Sequence, residues 1–284
     1  MTDRFSVGGA RRALIIYAPL LLFVAFALFP VYHMFLTSVK TDRALYNLSL
    51  NPLMVSLGAL TAEHYRLLFT DTLFSTWLLN SLAVSLSSTA ISMVISVLAA
   101  YGLTRIRFKG ADAFGIVIFI TYLVPYSLLF LPLTKVVSWL NLADSLWSLV
   151  VTYPTFLVPF STWLLMGYMK TIPEEIEKSA MIDGCNRLQI LTRIIIPLAV
   201  PGIVCATLFA FSLAWNDLLY ALVFISPADR KTLPVGIVTE LIRGDVYYYG
   251  ALMGGAILGS IPVVLFYVFF MDYYVSGLTA GAIK

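Results

Sequence analysis

The side chains of this sequence that could do chemistry are most concentrated in residues 172–197, IPEEIEKSAMIDGCNRLQILTRIIIP. The stretch is charged, it lies between long apolar runs, and its residue types suit holding a partner better than turning over a substrate. Pro173 stands where a helix begins, a position at which its missing N–H costs nothing. Glu174, Glu175 and Glu177 load the positive N-terminal end of that helix's dipole. Gly184 can take the left-handed conformation that ends a helix. Asn186 then offers an N-cap with Gln189 three residues on, in capping-box position, and Pro197 and Pro201 close the unit. Lys178, Ser179, Ala180 and Asp183 complete the first helix, whose small residues let it seat closely against another protein. The spacing predicts two short helices in a hairpin that works as a docking element.

Elsewhere the reactive groups are sparse. Asp217 is the acidic residue set well inside an apolar stretch, and it lies 16 residues beyond Pro201. That is ~24 Å at 1.5 Å per residue, near the far edge of a ~30 Å hydrocarbon core. Ionisable groups in membranes are costly and usually functional. Two readings stay open for Asp217 and its neighbours Trp215 and Asn216: a structural hydrogen bond, or a place on an outer gate. Ser81, Ser85, Ser88, Ser92 and Ser96 recur on one helix face, with Asn80 beside them. They read as small-residue packing against a neighbouring helix or as a hydroxyl-rich path for solute. Ala251, Gly254, Gly255 and Gly259 form a similar small face, read as close packing against a neighbouring helix or a second subunit. His33 and His64 lack companions at metal-site spacing, and Cys185 and Cys205 suit no disulfide in a reducing compartment. No phosphate-binding glycine loop, nucleophile elbow or zinc-protease helix occurs. The expectation is a chain without metal, cofactor or catalysis of its own.

The elements that must position these residues follow from composition. The 284 residues are 60% hydrophobic and 12% charged, with a mean hydropathy of +0.92, where soluble domains carry roughly a quarter charged residues. Windows free of Asp, Glu, Lys and Arg run over 13–39, 72–104, 113–134, 145–169, 194–216 and 246–271, each at least 22 residues long. About 20 apolar residues span the hydrocarbon core, and helices are the form such lengths allow. An all-α integral membrane protein with six transmembrane helices is expected. The first window is too long for a signal-peptide core and is read as a helix. Placing the N-terminus inside puts 11 Lys and Arg in the cytoplasm, among them Arg4, Arg107 and Lys284, and 7 outside. Both termini and the 172–197 hairpin then face the cytoplasm. Residues 1–71 are read as N-terminus, first helix and first outer loop, 72–275 as the core, with the hairpin loop at about 170–197, and 276–284 as a tail. The net charge of +3 fits basic inner loops and gives no argument for nucleic acid.

The hairpin also resembles a known family. Permease subunits of bacterial ATP-binding-cassette importers carry an EAA loop: E-A-A, three residues, Gly, nine residues, I-x-L-P. Here Gly184 is followed after nine residues by Ile194-Ile195-Ile196-Pro197, and Met181-Ile182-Asp183 precede it. The E-A-A is altered to Lys178-Ser179-Ala180, with Glu177 one position early. Trp215-Asn216-Asp217 is similar to the W-N-[DE] of carbohydrate-uptake permeases of the maltose-importer kind. Lys231-Thr232-Leu233-Pro234-Val235 and the ending GLTAGAIK at 277–284 fit as well. The resemblance implies a type I importer transmembrane domain in the bacterial inner membrane. It implies pairing with a second permease as a heterodimer, two ATPase subunits below that bind ATP and Mg, and an extracytoplasmic substrate-binding protein above. It implies that Glu174, Glu175, Glu177, Lys178, Ser179, Ala180, Asp183 and Gly184 form the ATPase-coupling helix, and that a sugar moves by alternating access. A glycerol phosphate, polyol or sulfonated sugar is the alternative solute. A stand-alone secondary transporter is the alternative mechanism; it would need a mid-membrane coupling site and an internal repeat.

Overall fold

A computed structural model describes residues 7–47, 49–106, 108–243 and 246–279. Arg4, Arg107 and residues 280–284 of the family-like ending lie outside them. Fourteen helices occur among the described residues: α1 (Val7–Val39), α2 (Asp42–Leu45), α3 (Glu63–Thr70), α4 (Phe74–Tyr101), α5 (Ala111–Leu123), α6 (Tyr126–Trp139), α7 (Leu146–Thr152), α8 (Pro154–Met169), α9 (Glu174–Ile182), α10 (Arg187–Ile190), α11 (Ile196–Trp215), α12 (Leu219–Phe224), α13 (Leu233–Glu240) and α14 (Tyr249–Thr279). Two two-residue strands, β1 (Ile242–Arg243) and β2 (Val246–Tyr247), pair antiparallel before α14. Wide π turns extend α4 over Gly102–Ile106 and precede α11 over Leu191–Ile195.

Among the described residues, five continuous helical segments are long and apolar enough to cross a membrane: Ile15–Val39, Phe74–Ile106, Leu146–Met169, Arg187–Trp215 and Tyr249–Tyr274. The third apolar window supplies the sixth crossing as a broken pair, α5 and α6, bent by 97°. Pro125 is the physical cause, since its ring restricts the residue before it to extended backbone, and Val124 is extended there (ψ 125°). The thirteen residues of α5 rise only ~20 Å, short of the hydrocarbon thickness.

The chain divides into two compact units, one of 1–72 with 237–259, the other of 73–236 with 260–284. In the first, His64 is buried and its Nε2 donates to the Lys40 carbonyl at 2.7 Å. Ser38 and Tyr65 pair through their hydroxyls at 2.7 Å. The small face of α14 rests on these residues. A Cβ on Gly250 would stand 2.2 Å from the His64 ring, and one on Gly254 would meet Tyr65 and Leu68. Gly254 and Gly255 thus pack on the chain's own α3 region, Gly255 also against Ile237, and Ala251 is fully buried.

In the second unit α4 is central, packed against α8 and α11. Its serine stripe points inward while several of its large apolar residues point outward: Ser81, Ser85, Ser88, Ser92 and Ser96 are at most 1% exposed, whereas Leu79, Leu86, Val94 and Leu98 are open. This inversion is what a lipid solvent favours, with small polar residues letting helices approach and Leu and Val facing the tails. At the same end as α12 and α13, Trp77 Nε1 donates to the Ala228 carbonyl at 2.8 Å. Asp144 ties the 140–145 loop to the same region, its carboxylate accepting the Ser226 N–H at 2.7 Å and its carbonyl the Arg230 guanidinium at 2.7 Å.

Candidate functional site

At the opposite end of α4 the charged hairpin folds as its sequence signals predict. Pro173 precedes α9 in extended backbone, and Glu174, Glu175 and Glu177 occupy the first turn. Gly184 sits at φ 87°. The Cys185 N–H donates to the Ala180 carbonyl at 2.9 Å and the Gly184 N–H to the Met181 carbonyl at 3.1 Å, the paired bonds of a Schellman cap. Asn186 and Gln189 exchange side chain–backbone bonds at 2.9 and 2.8 Å, completing the capping box.

The faces of α9 divide its residues. Glu175, Lys178, Ser179, Asp183 and Gly184 are exposed, and so are Ile176, Met181 and Ile182. Ile182 is 86% exposed, and Leu188 on α10 adds a second open apolar side chain at 67%. Glu174 is half-buried and pairs weakly with Lys178 at 4.0 Å. Glu177 and Ala180 point the other way and are buried. This corrects the expectation that small side chains at Ser179 and Ala180 together let α9 seat against another protein: Ala180 lies against its own chain, and Ser179 is open. Glu177 is held by two arginines, Arg105 Nε at 3.1 Å from Oε1 and Arg187 Nη1 at 3.9 Å from Oε2. Arg105 Nη2 in turn donates to the Ile172 carbonyl at 2.7 Å and to that of Met169. The sequence reading did not single out Arg105; an arginine directly after a long apolar run was its one available signal.

A cavity of about 480 Å³ opens where α5 breaks, between α5, α6, α8, α11 and the second half of α14. Tyr122, Tyr126, Phe156 and Phe209 give it aromatic walls, and Thr121, Thr155, Ser212, Asn216 and Tyr267 bring hydroxyl and amide groups. Tyr126 and Phe156 lie 5.5 Å apart, centroid to centroid. Asn216 and Asp217 are on this wall. The Asp217 carboxylate is largely turned into the protein: Oδ2 accepts from the Tyr153 hydroxyl at 2.9 Å and the Ala221 N–H at 3.2 Å. Its Oδ1 is enclosed and finds no hydrogen-bond donor among the described residues. Burial raises the Asp217 carboxyl above the usual range, and the donors from Tyr153 and the following backbone amides oppose this without cancelling it.

The other residues read as pathway are placed differently. Trp215 is 4% exposed and stacks on Phe211 at 5.6 Å, inside the packing and off the cavity. Ser85 and Ser88 are buried along α4, with Ser88 bonded to the Val84 carbonyl at 2.7 Å. Ser81 accepts the Leu233 N–H at 2.7 Å, and Asn80 donates to the Asp229 and Lys231 carbonyls, both at 2.9 Å. These four hold the bundle and its 225–233 segment together. The aromatic and hydroxyl lining of the cavity was missed because its residues come from five helices, and only the break at Pro125 brings them to one place.

Known proteins give this geometry its context. The family described as "Binding-protein-dependent transport system inner membrane component" matches residues 92–279. The chain is 37% identical over 270 residues to the inner membrane ABC transporter permease protein YcjP of Escherichia coli K12, covering 94% of this chain and 95% of that one. It is 34% identical to the diacetylchitobiose uptake system permease protein DasC of Streptomyces coelicolor, covering 90% and 91%. In fold it is similar to a chain from a bacterial ABC transporter involved in the import of the acidic polysaccharide alginate, with a TM-score of 0.77, 22% identity, and coverage of 96% and 100%. The expected six-span permease architecture is thus met, one span being broken, and the chain belongs to the binding-protein-dependent transport system inner membrane components, as a multi-pass permease subunit of an ATP-binding-cassette importer.

Proposed function

We propose that this permease forms half of the translocation pathway for a sugar or sugar-like solute, and that energy enters through α9 from a separate ATPase that holds ATP and Mg. The observation that carries the reading is the exposed face of α9. Ile176, Met181, Ile182 and Leu188 are open next to Glu175, Lys178 and Asp183, on a capped element too polar to lie in lipid. Apolar side chains rimmed by charges are the composition of a protein–protein contact. In this reading the hairpin and both termini face the cytoplasm, a second and different permease completes the pathway, and a substrate-binding protein delivers solute at the α12–α13 end.

The carbohydrate class is supported by the uptake systems among the curated relatives, such as that for diacetylchitobiose. The cavity's lining agrees with it, because aromatic faces and hydroxyl or amide groups suit a polyhydroxylated ring. The pathway is accordingly assigned to the cavity wall that includes Asn216 and Asp217. Transport follows alternating access, with ATP and loaded binding protein biasing two conformations of the bundle.

Reconstitution with the second permease, ATPase and binding protein in liposomes tests this. ATP-dependent accumulation of a neutral sugar is expected. Accumulation by this chain alone under an ion gradient would establish a secondary transporter, and accumulation confined to phosphorylated or sulfonated sugars would replace the neutral-sugar assignment.

A further inference from the structure

We infer that Arg105 and Glu177 are positioning residues that form the joint delivering movement of α9 to α4. The inference rests on the reading that α9 docks an ATPase, and it adds which contact carries the motion inward. α9 reaches the bundle through the backbone at 170–173 to α8, the backbone at 183–186 to α10, the buried Ala180 and the Arg105–Glu177 contact to α4. The side-chain contact is of another kind. Both side chains are 4% exposed and the Nε–Oε1 distance is 3.1 Å, so water does not compete for either group. The contact is an ion pair, with no hydrogen bond at either atom among the described residues, and attraction between enclosed opposite charges ties the position of α9 to that of α4.

Arg105 also closes one of the backbone routes. Its Nη2 donates to the Met169 and Ile172 carbonyls, which places the end of α8, the start of the hairpin and α9 on one guanidinium. Arg187 approaches the second oxygen of Glu177 at 3.9 Å from the far side of the hairpin. Thus displacement of α9 pulls on one residue, and that residue belongs to the helix that packs on both α8 and α11. Arg105 sits in the π turn Gly102–Ile106, and α11 begins after a second π turn, Leu191–Ile195. Wide turns of this kind mark functional positions in helices. Here they give α4 an adaptable segment beside α9 and α11 one directly after α10. Stability does not account for the charges, because a well-packed apolar pair of similar volume holds a buried contact at least as well.

In the test the double variant replaces the joint while leaving no orphaned charge. Arg105→Met with Glu177→Leu is made in the complete importer, and Glu177→Gln alone serves as a second variant that preserves shape. ATPase subunits retained, ATP hydrolysed in the presence of loaded binding protein, and solute taken up are measured on the same proteoliposomes. The expected result is normal retention of the ATPase with uptake per ATP lowered about tenfold or more in the double variant. Glu177→Gln is expected to move the ratio in the same direction. Uptake per ATP within about twofold of wild type in both variants would overturn the inference. Loss of the ATPase with an unchanged ratio in the remaining complexes would also overturn it, since the pair would then serve docking alone. An importer with Arg105 and Glu177 intact that retains its ATPase after the exposed face of α9 is altered refutes the docking reading instead, which keeps the two failures apart.

Discussion

Replacing Ile182 by alanine separates docking from folding. The side chain is 86% exposed on the outward face of α9, so it contributes little to the stability of the permease itself, and an exposed substitution of this kind changes folding by about 0.5 kcal/mol at most. If an ATPase covers it, the situation reverses. Complete burial of an isoleucine is worth about 1.5–3 kcal/mol, and truncation to alanine removes about 2 kcal/mol of that. At 1.4 kcal/mol per decade this weakens ATPase binding by about 30-fold. The assay titrates labelled ATPase subunit onto the assembled permease pair in lipid nanodiscs, with wild type and Ile182→Ala in parallel. Ala180→Leu supplies the contrast, because Ala180 is 7% exposed and faces its own chain. There the added volume wedges α9 off its seat, and the damage appears as lowered thermal stability as well as weaker binding. Unchanged melting with ATPase affinity within about threefold of wild type for Ile182→Ala would refute the reasoning, because the most open apolar residue of the hairpin would then lie outside any contact.

Three further outcomes are expected. Gly184→Ala places a Cβ on a residue at φ 87°; the cost of about 1–2 kcal/mol is confined to the hairpin, so uptake falls while the protein still accumulates in the membrane, as comparison of transport with membrane yield will show. Gly236→Ala brings a Cβ within 2.2 Å of the Trp77 ring, which cannot swing away without losing its 2.8 Å bond to Ala228; overpacking of about 1–3 kcal/mol should lower the melting temperature in detergent. Tyr153→Phe removes the hydroxyl that donates to Asp217 at 2.9 Å and leaves a buried carboxylate oxygen with one donor fewer, costing about 1–3 kcal/mol, read from the same melts; equal melting temperatures would count against a structural role for that bond.

Much of the fold was legible before any coordinates. Charge-free windows gave the crossings because the hydrocarbon thickness sets a length that composition alone reports. The caps of α9 and α10 were legible for a similar reason: Pro173, Gly184, Asn186 and Gln189 act on backbone groups within a few residues of themselves. The third crossing shows the limit. Pro125 announces a break, but the 97° angle depends on what α5 and α6 pack against. The serine stripe was ambiguous in the same way, since periodicity shows that five hydroxyls share a face and is silent on whether that face meets another helix or a path.

By itself the sequence determined a membrane-spanning helical chain with a capped, charged hairpin and a family-like spacing around Gly184. These are properties of local chain chemistry and of the thickness of the solvent it lives in. The tertiary structure decided which way that hairpin faces. Glu174, Glu175 and Glu177 are equivalent acids in the sequence, yet Glu177 alone turns inward, because Arg105, a residue from a distant helix, stands there to receive its charge. Asp217, Asn216 and the aromatic wall likewise became one place only when three helices met around a broken pair. Long-range packing brings together residues whose spacing along the chain carries no trace of the encounter.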